Sequence, residues 1–558
     1  MSASTPCPWM YTLYSHKIYY RLHLPQKMLF WIWAVALIAA TLIYFQHTYS
    51  RFRKRGVKNK PTLPLVGNSL RVILRLNHFI EDIVENYHEF PKERFVGRFE
   101  FVNPVIVIRD LELIKKITVK DFDHFVDHRT IVDKESDPLF GRNIFSMKGD
   151  EWKDMRGTLS PAFTSSKIRV MVPFMVEVGD QMIKALENKI KESDNGYLDC
   201  DVKDLMSRYA NDVIASCAFG LKVDSHTEEN NEFYVKGRDA TNFGFKQFLV
   251  FFGYLTFPEL MKHLKFTLFS DSSKSFFKNL VQSTMRDREL HHIIRPDMIH
   301  LLMQAKKGQL THDDKATKDA DAGFATVEES SLGKKTINRV WTEDDLIAQA
   351  VLFFIAGFET VSSAMSFLLH ELAVNPDVQE KLLQEIRENE EKNDGKFDYN
   401  SIQKMKYMDM VVSEVLRLWP PAAVLDRQCT KDYNLGKPNE DSTDDFILRE
   451  GEGVSIPMWA IHRDPDCFPD PLKFDPERFS EENVHKIKPY TYMPFGLGPR
   501  NCIGSRFALC EVKVMAYQLL RSLELSPAAK TQIPAKLSKK DLNMRIEGGH
   551  WVRFKTRN

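Results

Sequence analysis

The hydrophobic and polar positions of this chain follow a helical period over most of its length. Residues 179–193 and 373–389 place apolar side chains three and four residues apart, and Asn375 or Asp377 supplies a helix start in the second. Short apolar or alternating runs at 104–110 and 453–458 are typical of strands. The pattern predicts a mainly α body with a minor β part.

An uncharged stretch near the start of the chain predicts a membrane anchor. Residues 28–45 are just long enough to cross a bilayer, and residues 51–60 follow with six positive charges and no negative one. Because the basic flank follows the apolar run, we expect an uncleaved anchor with the body on the cytosolic side. The prolines and glycine at 61–68 predict a hinge, so that 46–68 form a basic flank and hinge.

Three other segments leave alternatives open. Residues 1–27 are an extension, and translation from Met1 or from Met28 stays open. Residues 306–338 are charged and aperiodic, which is typical of a solvated surface linker. Residues 241–257 contain six phenylalanines, which suit a core helix, the roof of a pocket, or a surface dipping into a membrane.

Composition excludes few classes of protein, but it points to the cysteines as candidates for chemistry. The 558 residues are 43% hydrophobic, enough for a large core, and the net charge of +1 argues against nucleic-acid binding. The seven cysteines are widely spaced without a C-x-x-C pair, as expected in a reduced, cytosolic compartment. One of them, Cys502, lies in the glycine-rich run 494–504, PFGLGPRNCIG.

The frame around Cys502 suits a thiolate that must be held and shielded. Glycines allow a tight turn whose N–H groups point at the sulfur, and the helix predicted from residue 503 onward adds its N-terminal dipole. Phe495 can cover the sulfur, and Arg500 can pair with a carboxylate. The spacing Phe495-x-x-Gly498-x-Arg500-x-Cys502-x-Gly504 resembles the haem-binding signature of cytochrome P-450, the haem-thiolate monooxygenases.

Further motifs occur along the chain in the same order as in that family. Gly357, Glu359 and Thr360, in the apolar run AGFET, resemble its oxygen-activation motif: the glycine leaves room over the iron, the threonine bonds dioxygen or water, and the acid aids proton supply. Without the resemblance, a helix threonine is usually bonded to its own backbone. Glu414 and Arg417 resemble the structural E-x-x-R motif, and Arg478 its partner in a buried network.

Three more residues resemble the family's haem-propionate ligands. Trp152 and Arg156 stand one helical turn apart, and Arg427 occupies the usual place of another propionate-binding arginine. The resemblance covers residues 60–558, and it implies one large haem-thiolate monooxygenase domain (69–558) with the cytochrome P-450 fold. The amino-acid sequence of the helix around residue 360 is similar to that of the insect detoxification branch, insect family nine.

The resemblance implies a microsomal enzyme of the endoplasmic reticulum membrane. Haem b would be bound by Cys502 as the axial iron ligand, with dioxygen as cosubstrate and electrons from NADPH through a reductase, and in some cases cytochrome b five. Substrates would be lipophilic: xenobiotics, plant allelochemicals and insecticides, or alternatively an endogenous hormone, pheromone or fatty acid. An isomerase or a non-enzymatic haem protein is disfavoured by the Glu359–Thr360 pair. Six lysines near the cysteine side would meet the reductase: Lys148, Lys153, Lys167, Lys486, Lys488 and Lys513.

Overall fold

The computed structural model describes residues 26–557 except 130, 131, 133, 136, 243, 309–322, 328–340 and 396. Most of the extension 1–27 and of the segment 306–338 therefore lies outside the described residues. The α-helices of the described chain are Gln26–Arg53, Leu70–Ile73, Phe79–Glu89, Leu111–Lys115, Pro138–Gly141, Gly149–Leu159, Ser165–Arg169, Val172–Lys191, Val202–Ile214, Glu232–Thr241, Phe245–Thr256, Pro258–Leu264, Asp271–His291, Met298–Lys306, Glu343–Val374, Pro376–Lys392, Tyr399–Gln403, Lys406–Leu418, Met458–Ile461 and Ser505–Ser522.

Short β-strands form three small sheets beside the helices. The strands are β1 Phe95–Glu100, β2 Asn103–Ile108, β3 Leu198–Asp201, β4 Leu425–Gln428, β5 Tyr433–Asn434, β6 Ile447–Leu448, β7 Gly453–Ile456, β8 Leu523–Pro527 and β9 Trp551–Thr556. The largest sheet has the order β1-β2-β7-β4, in which only β2 and β7 run parallel. The other sheets are antiparallel, with the orders β3-β9-β8 and β5-β6. The prediction of a mainly α body with a minor β part is confirmed.

The longest helix, Glu343–Val374, runs through the middle of the body, and we call it the central helix. Thr342 and Asp345 form a capping box at its start, and Asn375 caps its end before Pro376 opens the next helix. It packs against the helices Val202–Ile214, Ser505–Ser522 and Lys406–Leu418. It is long and apolar enough to cross a membrane, but 61% of its most apolar window is buried inside the body, against 6% for the N-terminal helix.

The N-terminal helix ends on the body rather than in a free connector. The exposed, apolar part of this helix is compatible with a membrane anchor. Phe52, near its C-terminal end, is fully buried, and its ring lies 4.7 Å from that of Phe99 in β1. Arg51 donates to the Glu452 carboxylate at 2.8 Å. The basic flank is thus packed against the first sheet, which limits motion at the predicted hinge.

The phenylalanine-rich stretch forms a helix with two unlike faces. In the helix Phe245–Thr256, Val250 and Tyr254 are buried while Leu249 is 52% exposed. Phe252 contacts Phe101, just after β1, at 5.3 Å between ring centroids. One face therefore packs on the body while Leu249 is exposed on the other, so a plain core helix does not describe this stretch.

Candidate active site

The loop before the helix Ser505–Ser522 is closed around Cys502 by backbone hydrogen bonds. The Cys502 N–H donates to the Phe495 carbonyl at 2.8 Å, and the Asn501 N–H donates to the Gly498 carbonyl at 3.0 Å. Cys502 is the exposed one among the described cysteines, although the preceding Asn501 is buried and the following Ile503 is partly buried. Burial raises the pKa of its thiol, while the Gly504 N–H and the Arg156 charge act in the opposite direction. The exposed surface of Cys502 therefore faces a space inside the fold.

Gly498 is required where this loop meets the segment Lys116–Lys120. Its φ is +68°, and a Cβ there would overlap the Thr118 carbonyl oxygen. Any side chain would therefore be both strained and obstructed. The sequence predicted a tight turn at these glycines, and the structure adds the close approach of the Thr118 carbonyl.

Arg500 ties the loop to the segment before the helix Gly149–Leu159. Its side chain donates to the carbonyls of Val126, Ile144 and Met147 at 2.8, 3.1 and 2.7 Å. The guanidinium carbon lies 4.1 Å from the ring centroid of Trp152, which is 1% exposed. Three of the five guanidinium N–H groups thus donate to carbonyls, and the remaining N–H groups can bind an anion.

Arg156 and Arg427 contact the same loop from two other elements. Arg156 donates to the carbonyl and to Oδ1 of Asn501 at 2.8 and 2.7 Å. Arg427, in β4, donates to the Leu497 carbonyl at 3.3 Å, and its buried Nε has no hydrogen-bond partner among the described residues. The three predicted arginines are therefore brought together, each in contact with the cysteine loop or part of it.

This arginine cluster fits a group that carries carboxylates. Burial and the Arg427 charge lower the pKa of Arg500 to about 9, and burial lowers the pKa of Arg427 to about 10. Asp127 is 3.9 Å from Arg500, so the buried positive charge is only partly balanced. The propionates of a haem would supply the missing anions. Binding of propionates by Trp152, Arg156, Arg427 and Arg500 stays a prediction.

The central helix has exposed side chains at the oxygen-activation motif AGFET, residues 356–360. Ala356 and Thr360 are exposed although the helix is otherwise mostly buried, while Phe354 is fully buried in an aromatic cluster with Phe277. The Thr360 hydroxyl donates to the Ala356 carbonyl at 2.5 Å. That is the ordinary helix bond, and it leaves the threonine oxygen free only to accept.

Phe163 connects the central helix with the cysteine loop. Its ring lies 5.2 Å from that of Phe353 on the central helix. On its other side, a Cβ placed on Gly504 would lie 3.7 Å from the Phe163 ring. The two motifs, about 150 positions apart in sequence, thus flank one aromatic side chain that no motif had indicated.

Gly357 lies close to a neighbouring helix of the body. A Cβ on Gly357 would lie 3.0 Å from the Cδ1 of Ile214, in the helix Val202–Ile214. Its missing side chain therefore permits close approach of two helices, and its role in leaving room over the iron stays a prediction.

Glu359 has a buried partner that the sequence did not reveal. Its Oε1 is 3.1 Å from the Nζ of Lys203, which also donates to Ser362 and Ser363 at 2.7 and 3.0 Å. Burial lowers the pKa of Lys203, and the Glu359 charge opposes that shift. A lysine within an amphipathic helix gives no signal of such a contact, because the contact depends on how two helices pack.

The predicted network of Glu414, Arg417 and Arg478 is present and fully buried at its centre. Arg417 binds the Glu414 carboxylate through two hydrogen bonds of 2.7 and 2.8 Å, and both side chains are 0% exposed. Arg478 Nε lies 3.3 Å from the same carboxylate. Arg417 also donates to the carbonyls of His462 and Pro471 at 2.7 and 2.8 Å. The network therefore fixes the segment that leads to the cysteine loop.

His462 predicts a loss of stability in mild acid. The ring is fully buried, with Nδ1 donating to the Arg417 carbonyl and Nε2 accepting from the Met493 N–H, each at 3.0 Å. Only the neutral ring makes both bonds, and burial lowers its pKa from 6.5 to about 3. The unfolded chain is protonated first, so the free energy of unfolding falls from about pH 6.5 downward, by up to about 1.4 kcal/mol per pH unit.

Thermal unfolding at about pH 7.5 and about pH 5.5 measures this effect. Replacement His462→Gln keeps a donor and an acceptor without a titrating ring, so the drop in melting temperature on acidification becomes smaller. The exposed His485→Gln is the matched control and leaves the drop unchanged. An equal drop in the wild type and in His462→Gln would contradict the assignment.

The fold and the arrangement of this site indicate the class of the protein, and comparison with known proteins gives the same class. The sequence profile described as Cytochrome P450 matches residues 57–552. The chain therefore belongs to the cytochrome P450 family, and it is a monooxygenase whose family implies a haem with cysteine thiolate ligation.

Among the proteins that the chain resembles are insect proteins of family nine and family six. The chain is 46% identical over 541 residues to cytochrome P450 9e2 of Blattella germanica, covering 94% of this chain and 98% of that relative. It is 39% identical over 544 residues to probable cytochrome P450 9f2 of Drosophila melanogaster, covering 95% and 100%. For cytochrome P450 6k1 of Blattella germanica the identity is 36% over 506 residues, covering 90% and 92%. The predicted membership of insect family nine is confirmed.

Proposed function

We propose that this monooxygenase oxidises lipophilic small molecules of foreign origin, such as plant allelochemicals and insecticides. The observation that carries the proposal is the apolar lining beside the second motif. Leu352, Phe353 and Ile355 are partly exposed on the central helix, next to the exposed Ala356 and Thr360. Apolar side chains with few polar groups among them bind hydrophobic ligands.

The bound haem would supply oxygen activation, and the residues of this chain would supply its position and its protons. Cys502 is proposed as the residue whose sulfur would bind the haem iron. Glu359, held by Lys203, is proposed as a proton relay, whose carboxylate takes up a proton from solvent and passes it to a water bonded at Thr360. The arginine cluster would orient the haem through its carboxylates.

Electrons are proposed to come from NADPH through a membrane-bound reductase, with the chain anchored in the endoplasmic reticulum by residues 28–45. Lys486 and Lys488 are exposed and suit electrostatic docking. Lys513 does not, because its side chain is 0% exposed and lies 3.0 Å from Asp409. Of the six lysines expected at the docking face, Lys513 is therefore excluded.

Co-expression with an insect reductase tests the proposal. Membranes are incubated with terpenoids, plant phenolics, insecticides and fatty acids, and NADPH-dependent product is measured for each. Turnover concentrated among plant compounds and insecticides supports the proposal. Turnover restricted to an endogenous fatty acid or hormone would contradict it.

Lys203→Met is expected to lower both turnover and the fraction of consumed NADPH recovered as product. Without the lysine the Glu359 carboxylate loses its 3.1 Å partner and its fixed position, and a change in such a supporting contact typically costs about 10–100-fold. The exposed Lys189→Met is the matched control. Wild-type product yield per NADPH in Lys203→Met would remove Glu359 from the proton route.

A further inference from the structure

A short piece of the charged connection between two helices is packed on the body beside the cysteine loop. Within the segment 306–338, expected to be a solvated surface linker, residues 323–327 are described, and Ala325 among them is 3% exposed. Val327 lines a small cavity together with Cys502, Asn501, Ile503 and Ser505. These five residues, which we call the clasp, are packed on the body at Ala325, while the Phe324 side chain is 39% exposed.

One carboxylate joins the clasp to two helices of the body. The Phe324 N–H donates to Oδ2 of Asp409 at 2.8 Å, and Oδ1 of the same residue is 3.0 Å from Nζ of Lys513. Asp409 belongs to the helix Lys406–Leu418, which carries Glu414 and Arg417. Lys513 belongs to the helix that begins just after Cys502. The clasp is thus bonded to the charge pair that links the buried network with the cysteine helix.

The Phe324 ring completes an aromatic cluster at the entry to the cysteine loop. Its centroid lies 5.0 Å from that of Phe479 and 5.3 Å from that of Tyr492. Tyr492 stacks on His462 at 5.6 Å and donates its hydroxyl to the Ser413 carbonyl at 3.0 Å. Because Tyr492 directly precedes residues 493–504, a ring packed against it restrains the start of that loop.

Gly323 makes the anchorage specific. Its φ is +94°, and a Cβ there would overlap the Asp409 carboxylate. Gly308 has a similar φ of +65° at the start of the same connection, but a Cβ there would meet nothing within 4 Å. The two glycines share the backbone requirement and differ in the contact, so they form a matched pair for substitution.

We propose that the clasp holds the cysteine loop from its outer side and keeps water from the sulfur, with Phe324 and Asp409 as positioning residues. A thiolate ligand is lost when its loop loosens and water delivers a proton to the sulfur, so contacts that restrain the loop preserve the ligand. This inference rests on the proposed role of Cys502 as the haem ligand. It adds a covering segment that lies about 180 positions before Cys502 in the chain.

The test uses the full-length haem protein and the variants Gly323→Ala, Phe324→Ala and Gly308→Ala. The reduced carbon-monoxide complex is followed over time, and the rate at which its red-shifted band decays to the unshifted band is measured. We expect the first two variants to decay at least about fivefold faster, the change that loss of one aromatic contact produces. Gly308→Ala decays at the wild-type rate.

Hydrogen exchange of the backbone amides provides a second readout in the same samples. In Gly323→Ala and Phe324→Ala, exchange rises in peptides covering residues 493–506 and stays unchanged in the core of the central helix. Wild-type decay and wild-type exchange in both variants would overturn the clasp. So would unchanged spectra with a higher reductase requirement, which would make the segment a docking surface. A wild-type protein without the red-shifted band would contradict the haem-thiolate proposal itself.

Discussion

Replacing Cys502 by serine is expected to abolish monooxygenase activity. A serine hydroxyl does not ionise near neutral pH, so the iron would lose its charged sulfur donor, and with it the electron density that favours O–O cleavage. Loss of a supporting contact costs about 10–100-fold, and loss of the ligand itself should exceed that range. Product formation in reductase-containing membranes measures the effect.

The other cysteines provide the controls for this substitution. Cys467 is partly exposed, and Cys429 and Cys510 are buried. Serine at Cys467 should leave activity close to the wild type, and serine at the two buried positions should affect stability more than chemistry. Full activity of Cys502→Ser would end the assignment of the axial ligand.

Replacing Arg417 by alanine is expected to yield protein with little or no bound haem. The change leaves the 0% exposed carboxylate of Glu414 without its bidentate partner, and breaking a buried pair in this way typically costs about 3–5 kcal/mol. It also removes donors from the carbonyls of His462 and Pro471, which fix the approach to the cysteine loop. A loop that is no longer held cannot keep its ligand in place.

Haem content per mole of purified protein measures this effect, with Arg449→Ala as the matched control. Arg449 is 61% exposed and lies 3.8 Å from Asp432, so its loss should cost at most about 1 kcal/mol. A normal haem content in Arg417→Ala would contradict the structural role of the network.

Local sequence was informative wherever the chemistry is concentrated in a short segment. The site around Cys502 could be predicted because the cysteine, its glycines and its arginine stand within eleven positions. The Glu414–Arg417 pair is readable because three residues separate neighbours on one helical face. The central helix could be predicted from its apolar run, and the structure confirms a helix there.

Contacts between distant segments could not be predicted from the sequence. Lys203 reaches Glu359 only because two helices cross, and Gly357 faces Ile214 for the same reason. The clasp was missed because its charged, aperiodic surroundings are typical of solvated chain, whereas five residues with one phenylalanine suffice to bind a preformed aromatic surface. These contacts are set by tertiary packing, on which the local periodicity of a single sequence carries no information.

The reduced carbon-monoxide spectrum of the wild-type protein tests the central claim most directly, because the position of its Soret band reports the ligand opposite the carbon monoxide. The account predicts the red-shifted band of a thiolate ligand in the wild type, and its loss in Cys502→Ser with retention in Cys467→Ser. An unshifted band in freshly purified wild-type protein, or a red-shifted band in Cys502→Ser, would contradict ligation of the iron by Cys502.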